Sequence, residues 1–344
     1  MASRTRSTGM VKGVEELAAW SGVALVGVPV ARIAVETLWL GPWAHRLLGV
    51  EARKEWGRVN ARKRISKFRN SGWKAVFYSV AMMWGIWAVA FQHWLWAEDG
   101  GGFWAEDAWV AQGGTDTAGR RLFPEEGRCD LVRPYSFTGA LCQPMPWSIQ
   151  VYYSLQVGYY MQALFCVLWR ERGKSDFWIM VAHHCVTLTL LAGSLLYRAH
   201  RIGSAVLLCH DVNDAFLEVA KSARYVRRER ISEFAFGVFA ISWVATRLYL
   251  LPVHIIARGS WRAYEVRDVE ARFGGPWGAL CVWWFFNALL SSLVVMHIYW
   301  ACLIFRIIAR KLDGSGLGED PRSSSDDEGG QRSGEVQAHS GKSE

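Results

Sequence analysis

His183–Lys221 reads HHCVTLTLLAGSLLYRAHRIGSAVLLCHDVNDAFLEVAK. Two adjacent histidines, a threonine, an HD pair, a second aspartate, a glutamate and a lysine sit inside strongly apolar sequence. Ionisable groups in such surroundings are costly and point to function. His183, Thr187 and Ser194 are four and seven residues apart, on one helical face. Beyond a short RAHR turn, Ser204, Asp211, Asp214, Glu218 and Lys221 recur at helical intervals of seven, three, four and three. The spacing predicts two neighbouring helices, each turning a polar stripe inward.

The chain around this stretch is that of a membrane protein. Of 344 residues 51% are hydrophobic and 20 are Trp, and several apolar windows reach the ~20 residues that cross a bilayer. The sequence predicts seven spans: 14–40, 75–96, 147–169, 176–197, 202–221, 231–256 and 276–305. Arg32 and Glu36 lie i, i+4 in the first and are placed to pair. The net charge is +8, but the last 33 residues hold eight acids and three bases, leaving about +13 for the rest. The bases cluster beside apolar spans, which favours lipid headgroups over nucleic acid. Residues 51–74 carry nine Lys/Arg against two Glu and read as a basic cytosolic connector. The divisions expected are 1–50 (N-terminal segment and first span), 51–74, 75–311 (catalytic domain) and 312–344 (disordered acidic, Ser-rich tail).

Short-loop Lys/Arg also predict orientation. The connectors at 51–74, 170–174, 224–230 and 306–311 fall on one side of a seven-span chain. The acidic loop 97–145 and the loop 257–275 fall on the other. Positive-inside then places the N-terminus in the lumen and the tail in the cytosol. Entering near residue 176, the fourth span puts His183 ~10 Å deep at 1.5 Å per residue. The antiparallel fifth span leaves near Lys221, with Asp214 ~10 Å and Asp211 ~15 Å from its end. Histidines and aspartates thus meet at similar depths, in a chamber open to the cytosol.

The pattern HHxxT, Ser, RxG, HDxxD, LExxK resembles the ceramide synthases, the TLC-domain (Lag1-type) sphingoid-base N-acyltransferases. His183, His184, Thr187, Ser194, Arg201, Gly203, His210, Asp211, Asp214, Leu217, Glu218 and Lys221 all match. The departure is Leu195, where the family usually has Tyr. KFRNSGWK (67–74), the tyrosine pairs at 152–153 and 159–160, Thr246–Arg247–Leu248 with Pro252, and HIYW (297–300) are similar to family stretches too. The resemblance implies an all-α membrane bundle with a six-helix TLC core, resident in the endoplasmic reticulum. It implies transfer of an acyl group from acyl-CoA to a sphingoid base, with no cofactor and no metal, membrane lipids as surroundings, and a homo- or heterodimer as one assembly. Some animal members carry a homeodomain-like insert, for which 51–74 is too short.

A histidine beside a carboxylate serves as a general base, and an imidazole can also accept an acyl group from a thioester. His183 is read as the acyl-accepting or proton-abstracting residue with His184 as its partner, and Asp211 and Asp214 as orienting and balancing them. Adjacent residues on a helix diverge by about 100°, so the two histidines cannot face the chamber equally. Thr187, Ser194, Arg201, His210, Glu218 and Lys221 are read as substrate-binding. Against this stand plainer readings: snorkelling for Arg201 and Lys221, a Lys221 or headgroup contact for Glu218, a packed histidine for His210, and interfacial or structural roles for His93 and His297.

Two other function classes fit a His/Asp chamber. One is a zinc-dependent lipid amidohydrolase, although HH followed by HDxxD is not a typical zinc spacing. The other is a non-enzymatic TLC-domain protein, whose kind usually lacks the full motif set. Of seven cysteines none shows CxxC spacing. Cys129 and Cys142 share the acidic loop and are candidates for a disulfide if that loop is luminal. Ser323, Ser324 and Ser325 each precede an acid by three residues, a pattern for acid-directed phosphorylation of the tail.

Overall fold

The computed structural model describes residues 19–90, 145–196, 200–260 and 276–313, which are helical apart from short turns. Helix α1 covers 19–34 and passes through a π-helical stretch, Val35–Leu40, into α2 (Gly41–Ala90). Then come α3 (Trp147–Arg170), α4 (Phe177–Leu196), α5 (His200–Tyr225) and α6 (Glu229–Trp243). A π-helical stretch, Val244–Ser260, extends α6 before α7 (Pro276–Leu312).

Four helical stretches are long and apolar enough to cross a membrane on length and composition: Ala19–Leu48, Phe177–Leu195, Glu229–Ala257 and Leu280–Leu312. They coincide with the first, fourth, sixth and seventh expected spans. The second, third and fifth correspond to the end of α2, to α3 and to α5. α3 and α5 are less apolar because they carry buried polar groups, with Tyr152, Tyr153, Gln156, Asp211 and Asn213 all at 0% exposure, whereas the second expected span is described only as far as Ala90. A helix surrounded by other helices need not present an apolar surface to lipid.

α1 and α2 form a hairpin. Thirty-eight residues of straight helix would separate Arg32 from Asn70 by about 57 Å, yet the Arg32 guanidinium donates to Asn70 Oδ1 at 2.8 Å. Leu48 and Phe68, twenty residues apart within α2, share a small cluster with Ala44 and Val226, so α2 does not run straight and its later part comes back beside α1. Arg32 also donates to Glu36 at 2.7 Å, the pair expected from the sequence, and to Cys166 Sγ of α3 at 3.1 Å. One buried arginine therefore ties three helices together. The basic stretch 51–74 is helical, and its last turns pack inward. Phe68, Ser71 and Trp73 are buried, and Ser71 Oγ donates to Glu218 of α5 at 2.6 Å.

The main core lies between the end of α2, α3, α4 and α5, with Phe77 stacked on Tyr159 at 3.8 Å between ring centroids. Gly203 permits the close approach of α5 to α3, since a Cβ there would run into the Tyr153 hydroxyl. This explains the glycine of the RxG pattern. A second cluster of Phe239, Trp243, Trp300, Ala301 and Ile304 joins α6 to α7. Pro252 sits inside the π-helical stretch, where its missing N–H and its ring disfavour a regular α-helical turn.

The basic connectors collect at one end of the bundle. Lys74 lies 3.8 Å from Glu171, Lys174 3.0 Å from Glu171, and Lys311 2.8 Å from Glu233. Trp300 of α7 donates to Asp176 at 3.3 Å at the same end. Glu171 follows α3 in the turn before α4. Burial would push its carboxyl up, but Lys74 and Lys174 outweigh burial and hold it at about 2.

Candidate active site

α4 and α5 supply the histidines, and α7 supplies one the sequence reading did not place there. His183 of α4 is buried, with its ring centroid 6.1 Å from His210 of α5 and 6.4 Å from His297 of α7. The indole of Trp300 closes another side, 5.3 Å from the His183 ring and nearly perpendicular to it. His210 and His297 are joined through their Nε2 atoms at 3.1 Å.

The hydrogen bonds set the tautomers of neutral rings. His210 Nδ1 donates to the Val206 carbonyl at 2.7 Å, leaving its Nε2 to accept. His297 Nε2 must then donate, which leaves His297 Nδ1 as a bare lone pair. That atom has no hydrogen-bond partner among the described residues, nor have His183 Nδ1, Thr187 Oγ1 and Asp211 Oδ1. Three of these four, on His297, His183 and Thr187, belong to or adjoin the histidine cluster, where a ligand would complete the bonding. His184 differs, because its Nδ1 donates to the Met180 carbonyl at 2.8 Å and its ring lies edge-on to Tyr160.

The aspartates engage other partners. Asp211 accepts from the Tyr152 hydroxyl and from Gln156 Nε2, each at 2.5 Å. Asp214 pairs with Arg247 at 2.7 Å. Among the described contacts neither carboxylate bonds a histidine ring, whereas the sequence reading had both orienting His183 and His184. The physical reason is the register of α3 and α6, which brings Tyr152, Gln156 and Arg247 closer. Arg247 also donates to the His210 carbonyl at 3.0 Å and lies 4.2 Å from the centroid of the Trp243 ring. Asp214 thus reaches the histidine cluster through Arg247 and the backbone.

The remaining predicted residues divide between two regions. Thr187, Ser194 and His210 line a narrow apolar cavity of about 60 Å³ between α4, α5 and α7. Ser194 Oγ donates to Tyr153 Oη at 3.3 Å and to the Leu191 carbonyl at 2.9 Å. Leu195, the departure from the family pattern, packs partly buried against the main core. Glu218 and Lys221 lie away from the cavity and pair at 3.0 Å, with Ser71 also donating to Glu218. The Arg201 side chain, Cys129, Cys142 and Ser323–Ser325 lie outside the described residues, as do His93 and most of loop 257–275. Among the described residues, no three His, Cys, Asp or Glu side chains converge as metal ligands would.

Residues 67–306 match the TLC domain. The chain belongs to the TLC-domain family. Its relatives include ASC1-like protein 1 of Oryza sativa subsp. japonica, 30% identical over 84% of this chain and 82% of that protein. Ceramide synthase LOH1 of Arabidopsis thaliana is 30% identical over 76% of this chain and 74% of its own length. Ceramide synthase LOH2 of the same plant is 36% identical over 56% and 64%. The TLC match takes in all three histidines and begins within the basic stretch of α2. His297 and Gln156 were the residues sequence reasoning missed as site members. HIYW carried the only signal for His297, and no motif marked Gln156.

Proposed function

We propose that this TLC-domain protein is a ceramide synthase. It transfers a fatty acyl group from acyl-CoA to the primary amine of a sphingoid base, giving ceramide or dihydroceramide and free CoA. The relatives named as ceramide synthases give the reaction class. The observation that carries the assignment to this site is His183, buried beside a narrow apolar cavity with an uncommitted ring nitrogen.

The chemistry closes with side chains alone. The thioester C–S bond breaks, an amide C–N bond forms, and the proton lost by the amine leaves with the CoA thiol. His183 either takes that proton or receives the acyl group first and yields it to the amine. His297 donates to His210, whose own N–H goes to the Val206 carbonyl, and the two rings pack beside His183. Asp214, through Arg247, fixes the backbone that carries His210. Thr187 and Ser194 line the path of a hydrocarbon chain, and Tyr152 and Gln156 hold Asp211. No cofactor is needed, because acyl-CoA brings the activated acyl group. We place the protein in the endoplasmic reticulum membrane, with the basic end of the bundle toward the cytosol, where CoA is supplied. Assembly as a homo- or heterodimer belongs to the same reading.

The test is ceramide formation by membranes containing this chain, supplied with sphinganine and a panel of acyl-CoA donors. Wild type should form product, and His183→Ala at equal expression should not. An acyl group trapped on the protein after incubation without sphingoid base would select the two-step route, and its absence the direct one. No product from well-expressed wild type with any donor overturns the reading.

A further inference from the structure

Among the described residues, one side chain lies between the cavity beside the histidines and the outer face of the bundle. From Thr187 and His210 it runs past Leu190 and Val206 to Ser194 and Phe286. On the other side of Phe286 lies a second depression between α4 and α7, lined by Leu188, Ala192, Gly193, Cys281 and Phe285. Ala192, Cys281 and Phe285 are exposed on the outer face of the bundle, the face a membrane protein turns to lipid. Phe286 is the one residue lining both spaces, and it is buried. Its ring is the partition.

Gly193 seats that ring. A Cβ at 193 would lie 2.6 Å from two ring carbons of Phe286, so any larger residue forces the ring to move. Gly193 stands ten residues beyond His183 on α4, about 15 Å along the axis. His183 adjoins the cavity through Thr187, one turn along α4, and His210, 6.1 Å away between ring centroids, so an acyl chain with its carbonyl at His183 would enter past these two residues. The cavity is narrow and lined mostly by apolar side chains, the surroundings of a hydrocarbon chain and not of a polar group.

We propose that Phe286, seated on Gly193, ends the acyl-chain channel and so sets the upper length of the acyl group this protein transfers. The proposal rests on the ceramide synthase reading. Shortening the side chain opens the inner cavity into the lipid-facing groove and removes the stop. Enlarging Gly193 pushes the ring inward and shortens the channel.

The experiment compares wild type, Phe286→Ala, Gly193→Ala and the double variant, with sphinganine and a ladder of saturated acyl-CoA donors from medium to very long chains. Phe286→Ala should raise the kcat/KM ratio of a very long over a medium donor about tenfold, the scale a hydrophobic pocket wall provides. Gly193→Ala should shift the ratio the other way. The double variant should follow Phe286→Ala, since no ring remains to be displaced. Phe286→Leu covers the case in which Phe286→Ala does not accumulate, and should show a smaller shift in the same direction. An active Phe286 variant with an unchanged donor profile overturns the proposal while leaving the ceramide synthase reading standing. So does a profile that changes only when the sphingoid-base chain is varied, which would put the other substrate in the channel. Wild type that forms no ceramide with any donor overturns both.

Discussion

At the scale of single residues, the histidine cluster and the Arg247–Asp214 pair make different demands. His297 meets His210 by one hydrogen bond and contacts Trp243 and Trp300 through its ring. Its hydrogen bond fixes the His210 ring beside His183, so its donor role and its packing role are separable. His297→Phe, which keeps a ring and loses the donor, should lower kcat about a hundredfold, the scale of a lost proton-transfer contribution. Its melting temperature in detergent should stay near that of wild type, and His297→Gln, which keeps a donor, should recover part of the rate. A His297→Phe protein with wild-type kcat would reduce His297 to a packing residue. For Arg247 and Asp214 the expectation is structural. Removing one partner of a buried ion pair leaves an uncompensated charge, at a cost of about 3–5 kcal/mol. Asp214→Asn and Arg247→Gln should each sharply lower the yield of folded protein, and the double variant should recover part of the loss. Similar yields for single and double variants would show that the pair is not coupled.

At the scale of helices, much was legible because a helical stripe is written in spacing. His183, Thr187 and Ser194 fall on one face of α4, and two of these three line the cavity with His210. The Arg32–Glu36 pair was legible for the same reason. Contacts between helices were not, because nothing in local spacing says which neighbour comes near. Asp211 bonds to Tyr152 and Gln156 through the packing of α3, and Asp214 to Arg247 through the π-helical extension of α6. The return of the chain after 51–74 was legible from the two flanking spans, but the inward packing was not, since 51–74 reads as surface by charge while Phe68, Ser71 and Trp73 turn inward. One junction of this kind is open to a pH test. Glu171, held at about 2 by Lys74 and Lys174 although burial opposes it, joins the turn after α3 to α2. Its depressed value means the stabilisation is present in full above the ordinary 4.5 and is lost as pH falls from there toward 2. Glu171→Gln should therefore melt lower than wild type at neutral pH, by on the order of 1–2 kcal/mol once solvent screening is allowed for. The difference should close as the pH approaches 2. A constant difference across that range would assign the effect to something other than the ionised carboxylate.

At the scale of the whole molecule, the charge pattern and the bundle make a joint claim about orientation. Four connectors are rich in Lys and Arg, and the Lys74–Glu171 and Lys311–Glu233 pairs involve three of them. Such bases in short loops stay on the cytosolic side during insertion. Four helices qualify as spans on composition, and α3, α5 and the end of α2 bring the expected number to seven. Seven crossings put the two termini on opposite sides, while an even number would put them together. Acceptor sites for N-glycosylation, introduced singly before residue 14, within 97–145, within 171–175 and after residue 314, distinguish these cases. The first two should be glycosylated in microsomes and the last two should not. Glycan on the tail would reverse the bundle and point His183 at the lumen, away from a cytosolic CoA supply. Glycan on neither terminus, with 97–145 modified, would mean that α1 does not cross, leaving the Arg32 junction at a membrane surface. Only the first pattern brings acyl-CoA to the end of α4 from which His183 is reached.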